Sequence, residues 1–201
     1  MRKRTGVSLG LAIAMGVLSS FGCGAVSSSH LLVPPSERSV QQAQPVQSMD
    51  QHFVSTLASG NSAEIMLARL ALQHSRNRQV RDFARRMIRD HNQAGQSFAQ
   101  AASTAGIFVQ ESLTPEQLQE QQQLSQLQGH DFDRAYMAQA LQDHVQTMAL
   151  LRQEIAQGQE LSLVNFARET LPTVRSHLRE ARRVAASVGV SGNRAQSPFE
   201  R

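Results

Sequence analysis

The sequence predicts an all-α protein: a four-helix bundle in which one long connection crosses between two helical hairpins. Apolar residues recur every three to four positions in four long segments after residue 49, and no strand pattern competes with this period. Residues with high helix propensity, chiefly Ala, Leu, Gln, Arg and Glu, are abundant. Glycine and capping residues divide the four segments into two pairs.

The first two helices form the first predicted hairpin. The first helix begins at the capping residue Asp50 and ends near Ser75, where SRNRQ interrupts the pattern. The second runs from about Asn77 to Gly106. Their inward stripes are Phe53, Leu57, Glu64, Leu67 and Ala71, and then Val80, Ala84, Met87, His91 and Phe98.

The long connection, GIFVQESLTPEQLQEQQQLSQLQGH, contains a short extra helix. Thr114 can cap this helix, Pro115 suits its first position, and it ends near Gly129. Two hairpins joined by one such crossover have the topology of ferritin-like bundles.

The third and fourth helices form the second hairpin. The third opens at Asp131 and closes at Gly158, and the fourth runs from about Glu160 to Gly189. Pro172 is expected to bend the fourth helix, since it lacks an amide proton and crowds the preceding turn. The stripes are Phe132, Tyr136, Ala140, His144, Met148 and Leu151, and then Phe166, Thr170, Val174, His177, Ala181 and Val184.

The segments outside the bundle, which spans residues 49–189, are predicted to serve export and tethering. Residues 1–22 join a cationic start to an apolar run too short for a spanning helix, as in a signal peptide. Residues 23–48, rich in Ser, Gln and Pro, predict a flexible linker, and residues 190–201 a disordered tail. Without the signal the net charge falls from +4 to about +1, so basicity gives no argument for nucleic-acid binding.

The only cysteine, Cys23, directly follows the apolar run. SSFGC resembles a bacterial lipobox, although Ser20 and Phe21 stand where Leu and a small residue are usual. Cys23 is either lipid-modified or discarded with a signal peptide cleaved near AVSS. Because an exported chain seldom keeps one unpaired thiol without a use, we favour lipidation. The expected location is the periplasm or outer membrane, with a lipid anchor to the membrane.

One polar residue interrupts the inward stripe of each long helix: Glu64, His91, His144 and His177. In an antiparallel hairpin, residues equally far from the turn lie at one height. The midpoint of Glu64 and His91 falls on the SRNRQ break, and that of His144 and His177 falls beside the QGQE break. The two members of each pair are therefore predicted to share a level.

One carboxylate and three imidazoles in a bundle core suit one divalent transition metal ion, Zn, Fe or Mn. The alternative is a network of neutral core histidines, hydrogen-bonded to one another or to Glu64, Tyr136 or Asp143. Both interpretations stay open at this point.

The remaining histidines of the predicted bundle have simpler interpretations. His52 and His74 lie near the ends of the first helix and are expected to be solvated. His130, Asp131 and Asp133 stand at a helix start, where carboxylates favour the positive end of the helix dipole, so capping is expected there.

Three stretches carry a resemblance to a known family: EIMLARLALQHSRNRQVRDFARRMIRDH, GHDFDRAYMAQALQDH and FARETLPTVRSHL. Together they resemble the bacterial family called domain of unknown function 4142, over about residues 50–187. The resemblance implies a ferritin-like bundle in an exported or lipid-anchored protein, often named as a candidate outer-membrane protein, without a proven activity. The positions that match the family pattern are Glu64, Asp90, His91, Phe132, Asp133, Tyr136, His144, Leu171, Pro172 and His177.

The chain departs from di-iron bundles, which carry Glu three residues before a histidine on two helices. Here those positions hold Ile88, Leu141 and Val174, and we expect at most one core carboxylate. That argues against ferroxidase or iron-storage activity.

The leading hypothesis is a mononuclear metal or proton-responsive site in envelope stress or metal handling, with Tyr136, Asp90 and Asp143 around the ligands. The alternative is a non-catalytic interaction or sensor module whose histidines specify packing or respond to pH. Neither an enzymatic activity, nor a protein partner, nor an oligomeric state follows from the sequence.

Overall fold

The computed structural model describes residues 48–190 and contains five helices in that range. The predicted signal peptide, Cys23, nearly all of the predicted linker and the tail from residue 191 lie outside the described residues. The helices are α1 Met49–His74, α2 Arg78–Thr104, α3 Pro115–Ser125, α4 Gly129–Gln157 and α5 Leu161–Ser187. Within the described range, no helix has the length and apolarity needed to cross a bilayer.

The four long helices close into a bundle. Helix α1 packs against α2 and α4, and α5 packs against α4 and α2, while the short α3 of the crossover lies against α1 and α4. The predicted all-α bundle with an extra helix in its crossover is therefore confirmed.

Helix α1 begins two residues earlier than the Asp50 cap predicts. Ser48 is its N-cap: its hydroxyl accepts from the Gln51 amide at 3.1 Å, and the Gln51 side chain accepts from the Ser48 amide. Asp50 is buried and instead accepts from the amides of Gln159 and Glu160 at 3.0 and 3.1 Å. Asp50 thus ties the start of α1 to the turn between α4 and α5.

The start of α4 also differs from the prediction. The helix begins at Gly129 after Gln128, without a side-chain cap. Asp131 lies in the first turn, where its charge favours the helix dipole as predicted, but neither it nor His130 nor the buried Asp133 forms a side-chain cap. The predicted start of α3 is correct, since Thr114 and Gln117 form a capping box with Pro115 at the first position. Helix α5 continues through Pro172.

Two apolar clusters occupy the two ends of the bundle. The first apolar cluster is built around Leu67, Phe83, Met87, Phe132 and Ala181. The second apolar cluster is built around Phe53, Phe98, Leu151, Phe166 and Val174. On every long helix, the polar residue of the inward stripe falls between the members of the two clusters. We call Glu64, His91, His144 and His177 the polar layer.

Candidate metal centre

The imidazole rings of three members of the polar layer lie close together in the bundle interior. The ring centroids of His91, His144 and His177 lie 5.5 to 6.1 Å from one another. Each ring offers one nitrogen, and these three nitrogens all lie within 4.8 Å of one another. His144 and His177 are each 2% exposed, and His91 is partly buried.

The three imidazoles share one hydrogen-bonding pattern: one ring nitrogen of each faces an oxygen acceptor. Because carbonyl and carboxylate oxygens only accept, that nitrogen carries the proton and the opposite nitrogen keeps a free lone pair. The bonded pairs are His91 Nδ1 with Asn61 Oδ1 at 3.1 Å, His144 Nδ1 with Ala140 O at 2.7 Å, and His177 Nε2 with Asp90 Oδ2 at 2.8 Å. The opposite nitrogens, His91 Nε2, His144 Nε2 and His177 Nδ1, are buried and have no hydrogen-bond partner among residues 48–190.

Burial keeps these histidines neutral. It lowers the pKa of His91 to about 3, and the charges of the other two imidazoles act in the same direction. Burial likewise lowers the pKa of His144 to about 4, against the bond to Ala140. The pKa of His177 is lowered by burial, which outweighs the bond to Asp90. Neutral imidazoles are the form that binds metal ions.

Glu64 lies in the polar layer but outside the group of three nitrogens. Its Oε1 atom is 3.2 Å from Nδ1 of His144, the nitrogen that also donates to Ala140. Glu64 therefore contacts the bonded nitrogen of His144 and helps to orient the ring. Burial and the nearby Glu120 raise the pKa of Glu64 to about 8.

Asp90 orients His177 by accepting a hydrogen bond from its Nε2 atom. Arg86 Nε bonds to Asp90 at 3.1 Å, and the same guanidinium also contacts Glu180 and Ser176. Burial opposes ionisation of Asp90, but the bonds from His177 and Arg86 prevail and lower the pKa of this carboxyl. An anionic Asp90 stabilises the Nε2–H tautomer of His177 and leaves Nδ1 free for a ligand.

Tyr136 and Asp143 do not bond to the imidazoles. Tyr136 is buried, and its hydroxyl has no hydrogen-bond partner in the described part of the chain. Asp143 accepts from the Gln139 side chain at 2.9 Å. Burial, with the charge of Glu64, raises the pKa of Asp143 to about 8.

Sequence reasoning missed several neighbours of the site and undercounted its carboxyl groups. Besides Glu64, the structure brings Asp143 and Glu120 to the same region, so the expectation of a single core carboxylate is wrong. Asp143 was expected near the ligands but was not counted as a core carboxylate, because it lies off the inward stripe. Glu120 was not predicted, because the packing of the crossover does not follow from helix periodicity. Asn61 and Arg86 do have a signal: they stand three and four residues from Glu64 and Asp90, on the same helix faces.

Two further contacts correct or extend the sequence interpretation. His74, expected to be solvated, is partly buried: its Nδ1 lies 2.8 Å from the Leu127 carbonyl oxygen and its ring packs on Phe132. His52 is exposed as expected. Gly95 leaves room for Asn61, since a Cβ at position 95 would lie 3.1 Å from the Asn61 side-chain nitrogen.

A cleft of about 480 Å³ connects the site to the outside of the bundle. It is lined by residues of the four long helices and by the crossover segment between Gln110 and Glu120. His91 and His177 form part of its wall. Three clustered histidines, two of them in the wall of a cleft, resemble catalytic zinc sites, which leave one coordination position for water or another ligand.

Comparisons with known proteins agree with the fold. A DUF305 fragment from Deinococcus radiodurans has a TM-score of 0.61 at 18% identity, over 72% of this chain and 99% of that chain. A DUF305 protein of Streptomyces coelicolor, named as a candidate secreted protein, has a TM-score of 0.61 at 12% identity, over 72% of this chain and 96% of its own. At these identities the likeness shows the helical fold alone. No curated protein matches the chain.

The family assignment comes from the sequence. The family described as Domain of unknown function (DUF4142) matches residues 35–184, which include α1 to α4, the crossover and α5 up to residue 184. The match contains every member of the polar layer and the residues that support it. The chain therefore belongs to the DUF4142 family.

Proposed function

We propose that this chain is an exported domain that binds one divalent transition metal ion through His91, His144 and His177. Two observations carry the proposal: one nitrogen of each ring lies within 4.8 Å of one nitrogen of the other two, and each ring has one nitrogen bonded to an oxygen and one that is buried without a partner among residues 48–190. Zn, Fe and Mn all accept such ligands.

The free nitrogens also argue against a purely structural network. In such a network the buried imidazoles would donate to one another, whereas no hydrogen bond joins any two of them within residues 48–190. Each buried acceptor without a donor costs about 1–3 kcal/mol. A metal ion bound by all three nitrogens would remove this cost.

The alternative of a histidine pH sensor receives less support. Burial holds the pKa values of His91 and His144 near 3 and 4, below the mildly acidic range in which such sensors work. The cleft beside the centre instead favours an exchangeable ligand on the metal, and hence metal handling in the cell envelope.

Metal binding is tested by titrating Zn²⁺ into the metal-free full chain and counting bound metal by mass spectrometry after gel filtration. We expect one ion per chain. His91→Ala, His144→Ala and His177→Ala should each weaken binding by about 100-fold or more, and Asn61→Leu by about tenfold, since it only orients His91. His52→Ala, which changes an exposed histidine, is the matched control. No uptake by the wild type, or equal uptake by all variants, would overturn the proposal.

Export and lipid anchoring are also part of the proposal. Their support is the signal-like segment 1–22, the lipobox-like SSFGC and the name of the Streptomyces coelicolor neighbour. With Cys23→Ser, we expect the protein to leave the membrane fraction and appear in the soluble exported fraction. Unchanged partitioning would show that Cys23 carries no anchor.

A further inference from the structure

The ionisable side chains that line the cleft beside the candidate metal centre include several carboxyl groups and no Arg or Lys. Glu64 on α1, Glu120 on α3 and Asp143 on α4 line it, and so does Asp90, whose charge is already paired with Arg86. Three carboxyl groups from three helices thus share this space without a positive partner.

Their surroundings indicate that a partner is missing. Glu64 is 6% exposed, and Glu120 and Asp143 are partly buried. No salt bridge joins any of the three to an Arg or Lys of residues 48–190, and no Arg or Lys lines the cleft. A cation between the carboxyls would supply the positive partner that the described side chains do not.

The size and walls of the cleft distinguish an organic cation from a bare metal ion. In the described part of the chain, only the three imidazoles come as close together as a bare ion requires. The cleft holds about 480 Å³, the size of a small organic molecule. The cleft is also lined by apolar side chains, those of Leu57, Phe98, Leu150, Phe166 and Val174. The rings of Phe98 and Phe166 lie 5.4 Å apart and offer an aromatic surface.

We propose that the cleft binds an organic ammonium ion, with its charged head between Glu64, Glu120 and Asp143 and its apolar body against Phe98 and Phe166. A primary ammonium group has three donors, so it can bond to the nearest of these carboxyl oxygens while its charge attracts the others. The aromatic wall stabilises the body by burial and the adjacent charge by cation–π attraction. The ligand lies next to the metal centre and extends the proposed function, but its binding does not require the metal.

The test uses three ligands of similar shape and different charge. 2-Phenylethylamine, its neutral analogue 2-phenylethanol and the anion 3-phenylpropanoate are titrated into the full chain at neutral pH by isothermal calorimetry. We expect the amine to bind at least about tenfold more tightly than the alcohol, and the anion not to bind. Equal affinity for amine and alcohol, or no binding of the amine, would overturn the proposal.

Variants of α3 locate the charged end. Glu120→Gln keeps the shape and removes one carboxylate, so amine affinity should fall by about tenfold. Glu116→Gln removes the same charge from the exposed side of the same helix and should leave affinity unchanged. If Glu120→Gln leaves amine affinity unchanged, the site does not take an organic cation.

Zn²⁺ titrations on the same samples separate this proposal from the metal proposal. Glu120→Gln should leave Zn²⁺ affinity within about twofold of the wild type, because Glu120 touches none of the imidazoles, whereas His177→Ala should abolish it. Amine binding without Zn²⁺ binding would refute the metal centre and support the ammonium site. Zn²⁺ binding without amine binding would support the metal centre and refute the ammonium site.

Discussion

The two apolar clusters and the polar layer between them are built from the same four helices but have different roles. In the first apolar cluster Phe83, Met87 and Phe132 are fully buried among other apolar side chains. In the polar layer, two buried histidines and the partly buried His91 leave three ring nitrogens unpartnered within the described range. The clusters stabilise the bundle, whereas the layer costs stability. Such a cost at one level of a bundle is typical of a functional site.

The largest expected effect comes from breaking an apolar cluster. Phe132→Ala removes a fully buried ring that packs on Tyr136, and should lower the free energy of unfolding by about 3–5 kcal/mol, measured by urea denaturation. Phe108→Ala is the control, because Phe108 is 87% exposed and should change stability by less than about 0.5 kcal/mol. A loss below about 1 kcal/mol at position 132 would mean that the clusters do not carry the stability of the fold.

A smaller effect is expected from pH in the metal-free protein. The pKa values of Glu64 and Asp143 are raised to about 8 in the fold, so the folded state holds protons that the unfolded chain has already lost. Their contribution to stability is therefore complete below about pH 4 and is lost as the pH rises to 8. His91 and His144 have lowered pKa values and act in the opposite direction, but only below about pH 6.5.

The window between pH 6.5 and 8 isolates the carboxyls. We expect the free energy of unfolding to fall by about 1 kcal/mol or more across it, and the double variant Glu64→Gln and Asp143→Asn to reduce that fall. The remainder is expected to come from Glu120 and Glu154, whose pKa values are raised to about 8 and about 7. Thermal unfolding at several pH values in the presence of a chelator measures both. A wild-type stability that is flat or rises over this window would contradict the assigned environment of the two carboxyls.

The smallest expected effect on stability distinguishes the polar layer from the apolar clusters most clearly. His177→Leu replaces a buried polar ring by an apolar aliphatic side chain of similar size, and Asp90 keeps its bond to Arg86. The metal-free variant should therefore lie within about 1 kcal/mol of the wild type. The same variant should lose Zn²⁺ binding altogether. A loss of stability comparable to that of Phe132→Ala would assign His177 to the structural core instead.

The fold was predictable because each level of the sequence agrees with it. Apolar period, capping boxes and glycine breaks all indicate the same helices, and most predicted ends lie within about two residues of the observed ones. The depth of the polar layer was predictable for the same reason, since hairpin midpoints relate residues of two helices without any knowledge of side-chain contacts.

The rest of the site depends on contacts that helix periodicity does not encode. Which nitrogen of each histidine is free depends on Asn61, Ala140 and Asp90, and these partners become visible only in three dimensions. Glu120 reaches the cleft through the packing of the crossover, whose register the sequence leaves open. Asp50 looks like a cap for its own helix but binds the amides that precede α5, because the bundle brings the two ends together.

The most direct test of the account is ¹⁵N NMR of the imidazole rings during Zn²⁺ titration of the full chain. We predict that Nε2 of His91, Nε2 of His144 and Nδ1 of His177 shift together and saturate at one equivalent, while both nitrogens of His52 and His130 stay unchanged. Shifts at the opposite ring nitrogens, at the exposed histidines only, or at none would contradict a shared metal centre in the polar layer.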